Sequence, residues 1–258
     1  MASFRSGIAA LTLLLLVPQA RRAFGWQTAL VGTAYAATLV SFVLANRLTT
    51  SANTIYLQST APLYLMLLGP WLLREPLRLR DLPIIAAVAG GLVLVFIGAD
   101  HPSATAPDPA RGNLFALGSG FSYALLICGL RWLGRDGGDP DRAIAAVILG
   151  NLIAFLAAMP MALPLGTHSG VGWGVVTYLG VFQIAGAYLL VTKGLRHVRA
   201  LETSLLLLAE TALNPLWSWL FLREVPATSA LAGGALIILA TIAQAARAPA
   251  QPTTLGVV

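Results

Sequence analysis

Long apolar runs separated by short polar connectors occupy nearly the whole chain. A membrane-spanning helix needs about 20 mainly apolar residues, because the hydrocarbon core of a bilayer is about 30 Å thick. The pattern therefore predicts an all-α integral membrane protein with about nine transmembrane helices. They cover residues 4–18, 27–45, 53–73, 82–98, 113–133, 143–165, 171–192, 202–222 and 229–246.

The connectors carry most of the Pro, Asp and Arg residues and leave no room for an inserted soluble domain. The longest one divides the chain. We predict a first helical unit over residues 1–99, an external linker over 100–111, a second unit over 112–248 and a flexible cytoplasmic tail over 249–258. The first run is short enough for a signal-peptide core. We expect it to be retained, since no convincing cleavage site follows it.

Composition supports the membrane assignment. Hydrophobic residues make up 57% of the 258 and charged residues 10%, whereas soluble domains carry about 25% charged residues. When successive connectors are assigned to alternate sides, one side collects twelve of the 16 Lys and Arg residues and the other four. The positive-inside rule then places the N-terminus outside and the C-terminus in the cytoplasm, in the inner or plasma membrane. The net charge of +6 is thereby explained without a nucleic-acid partner.

Two stretches of the chain match each other. The sequence Leu-Leu-Arg-Glu-Pro at 72–76 resembles Phe-Leu-Arg-Glu-Val-Pro at 221–226, and Ala-Gly-Gly occurs at both 89–91 and 232–234. The two Arg-Glu connectors fall on opposite sides of the membrane in the charge count. This arrangement predicts two inverted-topology repeats, of four and five helices, with a binding site near the midplane. The glycines, together with Gly118 and Gly120, predict close helix packing.

These motifs resemble the EamA-domain transporters of the drug/metabolite transporter superfamily. The resemblance rests on the helix–Arg-Glu–helix segment in each half, on Gly-Asn-Leu at 112–114 and on the segment ETALNPLWSWLFLRE at 210–224. It implies a small-molecule transporter with ten helices in two five-helix repeats. The chain departs from that pattern by lacking the first helix, and Thr211 stands where the family often has Pro. The expectation is therefore a nine-helix variant or a start upstream of Met1.

Glu210 is the principal candidate for chemistry, because it is the acidic residue that lies well inside an apolar run. A carboxylate at membrane depth is costly, so it should face a cavity or a partner. It would bind a cation or amine, or exchange a proton during transport, with a hydrogen-bonded structural role as the alternative. Asn214 precedes a proline that interrupts the backbone hydrogen bonds, and such breaks often line transporter sites. A simple kink is the alternative for this segment. Trp217 follows it, with interface anchoring or packing as the alternative to substrate contact.

Further polar residues within the spans are candidates for substrate contact. Hydrogen bonding between helices is the alternative explanation for each of them. No phosphate-binding loop, metal signature or paired carboxylates occur, so we expect no catalytic residues, no metal and no cofactor. The additional candidates are Tyr56, Gln58, Ser122, Tyr123 and Asn151.

The sequence thus predicts a secondary transporter that moves a small metabolite by alternating access. An amino acid, an amine or an amphipathic drug-like compound would each fit, and proton coupling is one mechanism. An accessory or inactive membrane subunit that needs a partner is the alternative, and an intramembrane enzyme has less support. The expected partners are the small-molecule substrate and membrane lipid, with a homodimer left open.

Overall fold

The computed structural model describes residues 2–72, 82–97, 106–133, 141–162, 170–194, 220 and 227–247. These parts of the chain are helical and contain no strand. Besides a 3₁₀ segment at Pro18–Ala23 and a π-helical segment at Leu179–Gly186, they form ten α-helices. The helices are α1 Ala2–Leu16, α2 Trp26–Leu48, α3 Ser51–Gln58, α4 Ala61–Leu72, α5 Leu82–Ile97, α6 Pro109–Leu133, α7 Asp141–Ala162, α8 Gly170–Tyr178, α9 Ala187–Gly194 and α10 Thr228–Arg247.

The helices confirm the all-α membrane architecture. Among the described residues, four helical stretches are both long and apolar enough to cross a membrane, and three shorter apolar helices accompany them. The predicted span at 202–222 lies outside the described residues except for Leu220, so the count of nine stays a prediction. The four long stretches are Trp26–Leu48, Pro109–Leu130, Asp141–Pro160 and Gly170–Leu190.

The predicted span at 53–73 is wrong in one respect, because the structure divides it into two helices. Helix α3 ends at Gln58 and α4 begins at Ala61. Proline has no backbone N–H to continue a helix, and Pro62 stands at the start of α4. The Thr60 hydroxyl closes the break by donating to the carbonyl oxygen of Leu57 at 2.6 Å. A continuous apolar run hides such a break.

Helices α2 and α7 run parallel, whereas α1 runs antiparallel to both. Near the start of both helices Arg142 of α7 donates to Gln27 of α2, and further along Gly32 of α2 packs against Gly150 of α7, so positions rise together along the two helices. At the other end of α7, the Ser3 hydroxyl donates to the carbonyl oxygen of Phe155 at 2.8 Å. The start of α1 therefore lies at the end of the bundle where α2 and α7 terminate.

Candidate functional site

A cleft opens between α1, α2 and α7 at that shared end. It contains about 560 Å³ of empty space, including the part open to the surroundings. Its polar wall comes from the start of α1 and the end of α2, and its remaining lining is apolar. The lining residues are Ser3, Arg5, Ser6, Leu39, Val40, Val43, Leu44, Arg47, Ala154, Ala158 and Ala162.

Small side chains on α7 create this space. Ala154, Ala158 and Ala162 recur every fourth residue and so share one face of the helix. Leu39 and Val43 of α2 also line the cleft. Because alanine ends at Cβ, the two helices leave a groove that α1 does not fill.

Aromatic packing fixes the start of α1 beside the cleft. The Phe4 ring meets Phe155 edge-on at 6.0 Å and Trp173 edge-on at 5.0 Å between ring centroids. Such edge-to-face pairs stabilise a defined orientation. The neighbouring Arg5 is thereby held between the cleft and the π-helical segment.

Arg5 carries a charge on the cleft wall. One terminal nitrogen, Nη1, donates to Gln183 Oε1 at 3.4 Å. The Nε atom is buried and has no hydrogen-bond partner in the described part of the chain. A guanidinium has five N–H donors, so Gln183 leaves most of the donor capacity of Arg5 unused.

The π-helical segment brings Gln183 to this position. The backbone at Gly180 lies so close to α1 that a Cβ there would be 2.9 Å from both the Arg5 carbonyl oxygen and a methyl carbon of Ile8. Only glycine permits this approach. Short π-helical insertions in α-helices are frequent at functional sites, and here the insertion aligns Gln183 with the charge on α1.

A buried polar pair lies one helical turn deeper than the cleft. Tyr35 precedes the lining residue Leu39 by four positions, and Asn151 precedes Ala154 by three. Tyr35 is 1% exposed and Asn151 0%. The Asn151 amide donates to the Val147 carbonyl oxygen at 3.0 Å, which leaves its own oxygen, Oδ1, free to accept.

Neither Tyr35 Oη nor Asn151 Oδ1 has a hydrogen-bond partner in the described residues. Asn151 and Tyr188 flank the Tyr35 hydroxyl, and Arg5 and Tyr123 lie within electrostatic reach of it. The flanking groups do not reach the distance and angle of a full hydrogen bond. The Tyr35 and Tyr188 rings pack edge-on at 5.2 Å. The site therefore combines buried polar atoms with unused hydrogen-bonding capacity.

Two of the predicted site residues lie elsewhere and hold helices together. The Gln58 amide donates to the Ser119 hydroxyl oxygen at 2.8 Å, and the Ser119 hydroxyl donates to the Thr38 carbonyl oxygen at 3.1 Å. The Tyr56 ring packs against α10, where a Cβ on Gly234 would come within 2.5 Å of the ring. Neither Tyr56 nor Gln58 lines the cleft.

The remaining predictions fall into three groups. Asn151 belongs to the buried polar pair, and Tyr123 lies near its hydroxyl member. Ser122 is partly buried on α6 and does not line the cleft. Three candidates, Glu210, Asn214 and Trp217, lie outside the described residues.

Sequence reasoning missed Arg5 and Tyr35. Arg5 is one of the four Lys and Arg residues on the external side of the charge count, although it follows Phe4 inside the first apolar run. Tyr35 stands in the middle of the run at 27–45, next to the small residues Ala34 and Ala36. A hydroxyl among small side chains was the available signal, but only the packing of α2 on α7 shows what it faces.

Comparison with known proteins gives the family. The model of the EamA-like transporter family matches residues 110–243, which is more than half of the chain. The pseudopaline exporter CntI of Pseudomonas aeruginosa, in two strains, is 35% identical over 71 residues. That match covers 28% of this chain and 25% of the exporter. The chain thus spans about a quarter of the length of the curated relatives it matches.

A solved crystal structure shares the fold. It superposes with a TM-score of 0.60 at 19% sequence identity, over 95% of this chain and 85% of that one. At this identity the likeness concerns the fold alone, and it extends over both halves of the chain. With the family match over 110–243 and the apolar helices described above, the chain belongs to the EamA-like transporter family, whose members are membrane transporters.

Proposed function

We propose that this protein is a secondary transporter that moves a small metabolite across the inner or plasma membrane by alternating access. An amino acid, an amine or an amphipathic drug-like compound is the class of solute, and the path runs through the cleft to the buried polar pair. The observation that carries the proposal is the pair itself. Tyr35 Oη and Asn151 Oδ1 are buried directly below an open cleft, and neither atom makes a hydrogen bond of full geometry within the described residues.

The energetic argument concerns unused polar atoms. A buried donor or acceptor without a partner costs about 1–3 kcal/mol, and native proteins keep few of them. A transport path explains the cost, because a polar solute or the water that accompanies it supplies the missing hydrogen bonds in transit. A site that binds a solute transiently should keep hydrogen-bonding groups without partners while no solute is bound.

Side-chain contacts join the helices at the opposite end, which supports a carrier that opens one end at a time. Arg142 of α7 donates to Gln27 at the start of α2, and the Trp26 and Trp132 rings pack at 5.6 Å. The cleft at one end of α2 and α7 and these contacts at the other end support the proposal. By the positive-inside count the cleft end is external. During transport the cleft end would close and the opposite end would open.

Thiol labelling of intact cells tests whether the cleft is an aqueous path. Cys128 is the single cysteine, so Cys128→Ala gives a cysteine-free background. Ala158→Cys then reports on the cleft, and Leu156→Cys, at a position 66% exposed on the same helix, reports on the lipid-facing surface. The membrane-impermeant sulfonatoethyl methanethiosulfonate should label Ala158→Cys at least about tenfold faster, because a thiol in lipid does not ionise.

The labelling rates also test alternation. A transported solute should change the rate at Ala158→Cys and leave Leu156→Cys unaffected. Equal, slow labelling at both positions would contradict the proposal. Flux in proteoliposomes containing only this chain supports a self-sufficient transporter, whereas flux that appears only with a second membrane protein would select the accessory-subunit alternative.

A further inference from the structure

The cleft has a positive wall. Arg5 and Arg47 both line it, and none of its described lining residues is acidic. The start of α1 adds the positive end of a helix dipole. A solute that enters from this end therefore meets a cationic surface before it reaches Tyr35 and Asn151.

Arg5 differs from an ordinary surface charge. Among the described residues its buried Nε atom has no hydrogen-bond partner, and Nη1 donates to the neutral Gln183 side chain at 3.4 Å. By comparison, Arg111 at the same end of the bundle is exposed and pairs with Asp108 at 3.3 Å. Arg5 thus keeps a charge in a partly buried place without any counter-charge from the described chain.

A fixed, uncompensated guanidinium is a recognition group for planar anions. Arginine binds carboxylates through parallel N–H donors, and a charge-assisted bond is roughly twice as strong as a neutral one. Gln183 orients the guanidinium from one side, because a side-chain amide accepts a hydrogen bond without neutralising the charge. Arg5 also lines the cleft, and Gln183 is its one hydrogen-bond partner among the described residues.

The serines beside Arg5 extend the same surface. Ser3 and Ser6 are 3% and 4% exposed and line the cleft. The hydroxyl of Ser3 already donates to the Phe155 carbonyl oxygen, so its oxygen can still accept. The wall therefore offers one strong anion-binding group with small polar neighbours. The opposite wall, formed by alanines, leaves room for the apolar part of an organic molecule.

We propose that Arg5, oriented by Gln183, binds the carboxylate of an organic anion or zwitterion in the cleft. This inference rests on the proposed transport path and narrows its substrate class. An amino acid or another carboxylic acid fits the wall, whereas an amine without a carboxylate is repelled. Arg47, which is exposed at the mouth, attracts the anion toward Arg5.

Protection from thiol labelling measures this binding without requiring transport. Purified full-length protein with Cys128→Ala and Ala158→Cys is labelled with or without benzoate, benzamide or benzylamine, three probes of similar size that differ in charge. Benzoate should slow labelling, and the neutral and cationic probes should not. An uncharged methanethiosulfonate reagent avoids charge effects on the labelling reaction itself.

Three substitutions locate the site. Arg5→Gln should weaken protection by benzoate about tenfold or more, because it removes a hydrogen bond to a charged group. Arg5→Lys should retain the preference for benzoate over benzamide with lower affinity, since the charge stays and the planar fork is lost. Arg111→Gln removes the same charge at the same end of the bundle, outside the cleft, and should leave protection unchanged.

The outcomes separate this inference from the proposed function. Equal protection by benzoate and benzamide, or unaltered protection in a folded Arg5→Gln variant, would overturn the anion site. Thermal unfolding and gel filtration establish that the variant is folded. Benzoate binding through Arg5 without flux of any solute would leave the anion site in place and refute transport, while flux of an amine that carboxylates do not inhibit would refute the anion site alone.

Discussion

Gly91 of α5 and Gly233 of α10 lie in direct contact where their helices cross. A Cβ on Gly91 would lie 2.7 Å from the Gly233 carbonyl oxygen, and a Cβ on Gly233 would lie 2.5 Å from that of Gly91. Four residues further along each helix, Ile237 faces Gly91 and Val95 faces Gly233. Positions that rise along α5 thus meet positions that fall along α10, so the helices are antiparallel. The inverted repeat stays a prediction, and the antiparallel direction of α5 and α10 agrees with it.

Alanine at either glycine should destabilise the protein. Gly91→Ala or Gly233→Ala forces the backbones apart, and overpacking of this kind costs about 1–3 kcal/mol. The free energy of unfolding in mixed detergent micelles measures the effect. Gly118→Ala is the matched control, because a Cβ there meets nothing within 4 Å. If Gly91→Ala were as stable as Gly118→Ala, the close crossing would be disproved.

The glycines also show which helix contacts can be predicted from the sequence. The repeated Ala-Gly-Gly segments predicted close packing, and the contact of Gly91 with Gly233 confirms it. The same prediction is wrong for Gly118, which faces open space. Composition cannot distinguish these cases, because the local sequence around a glycine does not show whether another helix packs against it. The partner is a helix more than a hundred residues away, and only tertiary packing specifies it.

Polar residues show the same limit. Hydropathy located the helices, because lipid imposes a length and a composition on every span. It could not separate Gln58, which bonds Ser119, from Asn151, whose oxygen has no partner in the described residues. Both are amides within apolar runs. Whether a polar side chain holds helices together or faces a path depends on which group stands opposite, and an unaligned sequence does not contain that information.

Ser119→Ala should destabilise the contact between α3, α6 and α2. The serine hydroxyl accepts from Gln58 and donates to the Thr38 carbonyl oxygen, and hydrogen bonds between membrane helices contribute about 0.6 kcal/mol each, up to about 1.7. We expect a loss of roughly 1–2 kcal/mol in the free energy of unfolding from the two bonds together. Thr33→Ala is the control, since that exposed hydroxyl bonds only within its own helix. A loss no larger than that of Thr33→Ala would contradict a bridging role.

Glu210 remains the predicted coupling residue, and its test is independent of the cleft. If its carboxyl group exchanges a proton during transport, uptake into proteoliposomes depends on pH. The reason is that pH sets the fraction of the protein in which this group is ionised. Glu210→Gln has nearly the same size and cannot ionise. Uptake by this variant should lose its pH dependence, whereas Glu202→Gln, at the predicted start of the same span, should keep it. Unchanged pH dependence in Glu210→Gln would refute the coupling role.

Tyr35→Phe separates a role in transport from a role in stability. The substitution removes a buried hydroxyl that has no hydrogen-bond partner in the described residues, while the ring can still pack against Tyr188. Removal of an unsatisfied polar atom should leave the free energy of unfolding unchanged or raise it by about 1 kcal/mol. Transport should nevertheless fall about fivefold or more, because a hydrogen bond to the passing solute is worth about 1 kcal/mol or more. Proteoliposome flux and unfolding are measured on the same preparation.

The matched control for Tyr35→Phe is Tyr178→Phe, which removes a hydroxyl from a side chain 61% exposed on the surface. It should alter neither flux nor stability. A Tyr35→Phe variant that loses stability and flux together would show that the hydroxyl serves the fold through a partner beyond the described residues. Full flux in a stable variant would remove Tyr35 from the path and leave Asn151 as its remaining buried polar member. The combination of preserved stability and reduced flux is the result that a transport path through this pair requires.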